Sequence, residues 1–197
     1  MTVPGNGDGD PVDHALEDGD NHADMEGDEY DRLRRRVLWS LPSGVYLLGS
    51  RAGDRRNLMT TSWVSQVATH PKLVGVGVEC EALTHQLILE GGVFAVSLVP
   101  RDDRNVIRRF VKPVGAVDIS VDDSGSGTMR EVPVRVAATG APVLAGALAW
   151  LDCELRHSLD LGSHTWFVGE VVDAGFGEDS ENLEVLRMED TRMNYGG

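Results

Sequence analysis

Cysteine is scarce in this chain, with two in 197 residues, Cys80 and Cys153. No CxxC or Cys/His cluster surrounds them, which excludes a zinc finger and a disulfide-stapled scaffold. Both sit among apolar neighbours and are expected to be buried thiols in a reducing cytoplasm. No apolar run approaches the length of a membrane span. The N-terminus has no basic region followed by an apolar one, so a signal peptide is not expected and the protein reads as cytoplasmic. The phosphate-loop pattern GxxxxGK[ST], a GxGxxG after a strand, the GxSxG nucleophile elbow and HExxH are all missing. The six histidines, His14, His22, His70, His85, His157 and His164, show no metal-ligand spacing, so no metal is expected. Lys and Arg are absent from the first 31 residues, which carry 11 of the 32 acids. The formal charge of -14 therefore belongs mostly to that tail, and 21 acids face 18 bases from Arg32 onward. Such a balance argues against a nucleic-acid or membrane-surface binder.

What is present points to one domain behind a tail. Residues 1–27 are rich in Gly and Asp and poor in large apolar groups. They cannot bury enough surface to offset their ordering entropy and are expected to be disordered. The two DGD triplets lack the D-x-D-x-D-G spacing and distal Glu of a calcium loop. The body, residues 28–197, has short apolar runs, and the chain holds 23 glycines with 41% apolar residues, a turn-rich β composition.

Leu33, Val37 and Leu41 recur at helical spacing behind acids and around Arg34–Arg36, which predicts a helix over 28–41. Strands are expected from about Val45, through 57–67, over 73–78, and in VFAVSLV. LTHQLILE reads as a short helix started by Thr84 and stopped by the following GG. PRDDRNVIRRF reads as a second helix and VDDSGSGT as a flexible loop. Three further strands follow, the last two a hairpin around DLGS. Together these suggest an antiparallel barrel decorated by short helices.

The stretch NLMTTSWVSQ has more hydroxyls than a half-buried strand needs. Asn57, Thr60, Thr61, Ser62, Trp63 and Ser65 could offer hydrogen bonds and an aromatic wall to a phosphate or to a flat aromatic ligand. An exposed strand edge, where Thr is simply a good β-former, fits the same residues.

The order of several segments adds to this. NLMTTSWVSQVATHPKLVGVGVE, ALTHQLILEGGVFAVSLV, APVLAGALAWLDCEL, GSHTWFVGEVVDA and the closing NYGG occur in sequence. Together they resemble the flavin reductase-like, FMN-binding split-barrel family from about Val37 to Gly197. The resemblance implies a mainly β fold, a six-stranded antiparallel split barrel with short flanking helices, in a homodimer. It implies an NAD(P)H-dependent flavin reductase using FMN, or FAD, with NADH or NADPH as donor. Reduced flavin would go to a partner monooxygenase. The alternative is a flavin-binding carrier, sensor or electron-transfer module without fast nicotinamide turnover.

By the same resemblance, Asn57, Met59, Thr60, Thr61, Ser62, Trp63 and Ser65 would line the flavin. Thr84 and His85 would lie near its phosphate end. His164 would stand beside flavin and nicotinamide, and Tyr195 would pack over the site. Apart from the resemblance, the position of Arg109 and Lys112 after the second expected helix offers positive charge to a phosphate, or surface ion pairs instead. The chain departs from the family pattern at Ala68, Lys72 and Ser163, the last standing where Asp is common.

Overall fold

A computed structural model describes residues 27–178 and 184–191. The expected disordered tail, apart from Gly27, and Tyr195 lie outside them. The chain divides into two units, between Ser40 and Leu41.

The first unit holds helix α1 (Gly27–Trp39). Asp28 and Glu29 open it and Arg36 closes it, which complements the helix dipole. Asp31 holds Arg34 at 2.8 Å and Arg35 at 3.2 Å, one turn further on. The helix stops two residues short of Leu41. Pro42 follows and disfavours helical backbone in the residue before it.

The second unit is mainly β. Its strands are β1 (Tyr46–Ala52), β2 (Arg55–Thr61), β3 (Val64–Ala68), β4 (Leu73–Glu79), β5 (Val93–Leu98), β6 (Ile119–Val121), β7 (Ser126–Met129), β8 (Val132–Val136), β9 (Pro142–Leu144), β10 (Ala149–Asp160) and β11 (His164–Phe176). Helix α2 (Leu83–Gly91) lies between β4 and β5, and a single helical turn, α3 (Met188–Thr191), follows β11. Every strand pairing is antiparallel.

The main sheet has the order β2-β1-β5-β10-β11-β4-β3. Its two edge strands are consecutive in the chain, with only Ser62 and Trp63 between them. Two residues span little distance, at most about 3.6 Å each, so the sheet must curl until its edges approach. The expected count was six strands. Seven are present because the single strand expected over 57–67 is divided at Ser62 and Trp63.

Alternation along the strands fills the concave side. Val74, Val76 and Val78 of β4 meet Leu48, Phe94, Val96, Cys153 and Phe167, with Ile88 supplied by α2. The intervening Gly75 and Gly77 face the other way. A Cβ on Gly75 would strike the Trp166 indole, and one on Gly77 would lie 2.9 Å from Trp63 Cε3.

The second sheet, β6-β7-β8-β9, covers the opposite side of β1, β2 and β5. Leu47, Leu58, Val99, Ile107, Phe110, Val134 and Leu144 form the core between them. Ser97 Oγ accepts from the Leu144 amide at 3.0 Å and pins β9 to β5.

Four local expectations are corrected. The helix expected in PRDDRNVIRRF is a 3-10 turn, Val106–Phe110, and the Ile107 carbonyl accepts from Thr60 Oγ1 rather than serving a longer helix. The flexible loop VDDSGSGT is the turn of the β6–β7 hairpin. Asp122 Oδ1 accepts there from Ser124 N at 2.8 Å and Ser124 Oγ at 2.6 Å, and Gly125 takes φ +80. Helix α2 begins after Ala82, not on Thr84, whose hydroxyl accepts from Asn57 instead. Its GG stop is present: Gly92, at φ +68, donates to the Ile88 carbonyl at 2.9 Å. Cys153 is buried as expected, but Cys80 is exposed. It lies just past the end of β4, where the chain turns toward α2.

Candidate functional site

The break between β2 and β3 places an aromatic side chain at the surface. Val64 N bonds the Ser62 carbonyl at 3.2 Å, and the Trp63 carbonyl accepts from Gly77 N at 3.0 Å. Trp63 is thereby fixed to β4 while its side chain remains 39% exposed. The missing Cβ of Gly77 leaves room for the indole edge. Trp166 pairs with Gly77 in register and lies over Gly75. Two indoles therefore lie over the buried strip of glycine backbone in β4.

His164 opens β11 beside this strip. Its ring centroid is 4.7 Å from that of Trp63, with the planes tilted by 48°. Gly162 makes the tight turn before it at φ +84, and its N–H bonds Asp160 Oδ1 at 2.8 Å. Ser163 Oγ and His164 Nδ1 are 2.9 Å apart. A neutral hydroxyl thus contacts the imidazole where the family pattern has a carboxylate. The hydroxyl serves either tautomer, because it both donates and accepts.

A second imidazole lies on the inner side of the same strand end. His85, in the first turn of α2, shares a 2.8 Å hydrogen bond between Nε2 and Thr165 Oγ1. Its ring lies 5.1 Å from that of Phe167. Burial lowers the His85 pKa below the ordinary imidazole value, and Asp160 opposes this in part. Cys80 Sγ donates to the Gly162 carbonyl at 3.3 Å and stands 3.8 Å from Thr165 Oγ1.

The structure thus gathers Trp63, Cys80, His85, His164 and Thr165 from four separate segments of the chain. The other sequence candidates divide by position. Asn57 is only 1% exposed and spends its amide on the protein. Its Nδ2 donates to Thr84 Oγ1 at 2.8 Å, and its Oδ1 accepts from Val114 N at 2.9 Å. Thr60 Oγ1 donates to the Ile107 carbonyl at 2.6 Å. Thr61 and Ser62 are buried, and Thr61 Oγ1 faces Trp63 N at 3.4 Å. Met59 packs on the barrel-side core. Ser65 is exposed, with Oγ donating to the Gln66 carbonyl at 3.2 Å. Arg109 is engaged with the Arg130 carbonyl at 2.8 Å and Glu131 at 3.2 Å. Lys112 is exposed in the loop beyond the 3-10 turn.

Thr165, Cys80, Gly75, Gly77 and Trp166 were not anticipated. The Val-Gly-Val-Gly-Val alternation of β4 was the signal for the glycine strip. A groove of ≈ 960 Å³ lined by Arg101, Arg135, Leu148 and Phe176, among others, includes none of the candidate residues.

A flat aromatic cofactor fits these residues. The Trp166 and Trp63 indoles fill the space over the buried Gly75 and Gly77, and the partly exposed Trp63 is the flat face a ring could meet. Nearby, α2 begins without a side-chain cap and without an acid in its first turn. Its first amides are thus suited to an anionic group. Among the described residues no cluster of three or more His, Cys, Asp or Glu could hold a metal ion. No helix among them is long and apolar enough to cross a membrane.

The chain belongs to the flavin reductase-like family, whose domain model matches residues 38–195. It is 30% identical over 148 residues to the NADH-dependent FAD reductase of Streptomyces globisporus, covering 75% of this chain and 78% of that one. The structure of the NADH:FAD oxidoreductase of that organism, in complex with NAD and FAD fragments, superposes with a TM-score of 0.66 at 29% identity. That match covers 85% of this chain and 93% of the other. BorF, the flavin reductase component of a bacterial two-component tryptophan halogenase, gives 0.64 at 30% identity, over 79% of this chain and 98% of that one. The chain spans about a quarter of the length of the diflavin flavoproteins it also matches, such as diflavin flavoprotein A 1 of Synechocystis (26% identical over 154 residues, 77% of this chain and 25% of that protein).

Proposed function

We propose that this protein is an NAD(P)H-dependent flavin reductase on a split-barrel fold. The observation that carries the reading is the His164–Trp63 pair beside the Gly75–Gly77 strip, in a chain of the flavin reductase-like family. Counted as one interrupted strand, β2 and β3 bring the main sheet to the six strands of that barrel. The bound flavin, FMN or FAD, supplies the hydride-accepting ring. The backbone from Ser62 to Val64 would meet the edge of that ring, with Trp63 along its side. The uncapped start of α2 would receive the phosphate. His164 would hydrogen-bond the nicotinamide carboxamide or the flavin as a neutral imidazole, without donating a proton in hydride transfer. The protein's contribution is then to hold two rings in contact and exclude water from between them.

Val67, Leu159 and Leu161 are exposed at 45%, 59% and 58%. A second copy of this chain would cover such side chains in a homodimer. The product, reduced flavin, would serve a partner monooxygenase, much as BorF is the reductase component of a two-component halogenase.

Flavin added to the purified protein, then NADH or NADPH without oxygen, tests the reading. Bleaching of the oxidised band at about 450 nm is expected with one donor. Retained flavin that stays oxidised with both donors would instead identify a carrier or sensor. Absence of flavin binding would overturn both. Sedimentation showing only monomer in the flavin-bound protein would remove the dimer.

A further inference from the structure

We infer that His85 is a positioning residue for His164, acting through Thr165. The inference rests on the reductase reading and assigns His85 a task other than phosphate contact. Thr165 and His164 are neighbours on β11, so the pleat sends their side chains to opposite faces of the sheet. Thr165 is buried and meets His85 Nε2 at 2.8 Å, while His164 faces outward to Trp63.

Among the described residues, the His164 imidazole has one hydrogen-bond partner, the hydroxyl of Ser163 at 2.9 Å, while its backbone carbonyl accepts from Leu161 N at 2.9 Å. Ser163 is its chain neighbour and moves with it. That bond therefore orients the ring within the turn but not relative to the sheet. The position of the turn is set elsewhere. Cys80 N bonds the Ser163 carbonyl at 3.0 Å, and Cys80 Sγ bonds the Gly162 carbonyl at 3.3 Å. The His85–Thr165 bond adds a side-chain tie from α2 directly beneath the His164 backbone. His85 is itself held by packing on Phe167, two residues further along the same strand.

The same helix would then have two tasks. Its uncapped start faces the anionic end of the flavin in the proposed reading, and its first-turn imidazole holds the strand end that presents His164. Loss of the tie would let the end of the hairpin roll and move His164 relative to Trp63. Nicotinamide use would suffer before flavin binding does.

Thr165→Val removes the hydroxyl at nearly constant shape, Thr165→Ser keeps it, and His85→Gln keeps a polar atom near the Nε2 position. In Thr165→Val the KM for the nicotinamide donor is expected to rise about tenfold, as misplacing a binding group does. The flavin Kd should stay within about twofold and Thr165→Ser should recover the wild-type KM. An unchanged KM in Thr165→Val, or a parallel loss of flavin affinity, would overturn the inference. If Thr165→Val does not fold, His85→Gln is read instead: a KM between those of wild type and His85→Ala supports the tie, and a wild-type KM in both His85 variants refutes it.

A readout without turnover separates this inference from the reductase reading. The His164 ring signals in the proton–carbon NMR spectrum feel the Trp63 ring current. Displaced signals in Thr165→Val support the tie even where wild type fails to oxidise either donor, the result that would sink the reductase reading alone. Unmoved signals would overturn the tie whatever the kinetics.

Discussion

The imidazole of His164 and the indole of Trp63 stand 4.7 Å apart, centroid to centroid, though 101 positions separate them in the chain. Three strands set this distance. Trp63 leads into β3, β3 pairs with β4, and β4 pairs with β11 so that Glu79 faces His164. The site is a product of sheet register, and substitutions of the two rings should have separable effects.

Trp63→Leu keeps an apolar side chain but loses the aromatic face. Flavin affinity is expected to fall about fivefold, in line with roughly 1 kcal/mol for an aromatic contact. His164→Ala should keep flavin affinity and lose about tenfold to a hundredfold in donor-dependent turnover, the cost of a misplaced nicotinamide ring. Flavin fluorescence titration and anaerobic stopped-flow reduction measure the two. Full turnover in His164→Ala would end the role proposed for that residue.

Asn57 is expected to act on stability. Asn57→Ala leaves Thr84 Oγ1 and Val114 N without their partner inside the fold. Such a loss costs about 2 kcal/mol. The urea midpoint should drop at constant m-value. An unchanged midpoint with weakened flavin binding would return Asn57 to the ligand.

The lowered pKa of His85 has a defined sign. Burial makes the folded protein take up this proton less readily than the unfolded chain does. Its contribution to stability is complete above the unfolded imidazole value, about 6.5. It is lost as pH falls through that value toward the folded one. Thermal unfolding between about pH 8 and 5.5 should show a steeper acid loss in wild type than in His85→Gln. Parallel curves would mean that His85 titrates alike in both states.

The two thiols should differ sharply. Burial pushes the Cys153 thiol up to about 12, with Asp152 adding to the rise, whereas Cys80 is exposed. Thiolate is the reactive form. One equivalent of a disulfide reagent should react promptly with the native protein at mild alkaline pH, and the second only after denaturant. Prompt reaction of both would contradict the burial of Cys153.

Much of the fold was legible because its longest signals are local. HTWFVGEVVDAGF is rich in β-branched and aromatic residues and is β11 over the same residues, alternating in burial over its first half. The GG after Glu90 ends α2 where its left-handed geometry requires. Of the second sheet only one strand was legible, VPVRVAAT, which holds β8. The strands of that sheet are three to five residues long, and β7 is Ser-Gly-Thr-Met, which reads as a loop until β8 pairs with it.

The site was half legible for a similar reason. Trp63 and His164 stood out by motif, and the structure brings them together. The hydroxyls around them looked alike in sequence, yet Thr60 bonds a carbonyl 47 residues away and Thr84 receives Asn57. Only tertiary partners tell a hydroxyl that braces the fold from one left for a ligand. Thr165 was overlooked because nothing in its neighbourhood announces a bond to a helix 80 residues earlier.

The short run of Ser62 and Trp63 also limits motion. It works as a covalent belt, since both outer strands of the main sheet are fastened to it. Spreading those borders apart would stretch two residues that have almost no slack. The junction between those borders is therefore held nearly rigid, and Trp63 keeps its place by covalent geometry as well as by the bond from its carbonyl to Gly77 N.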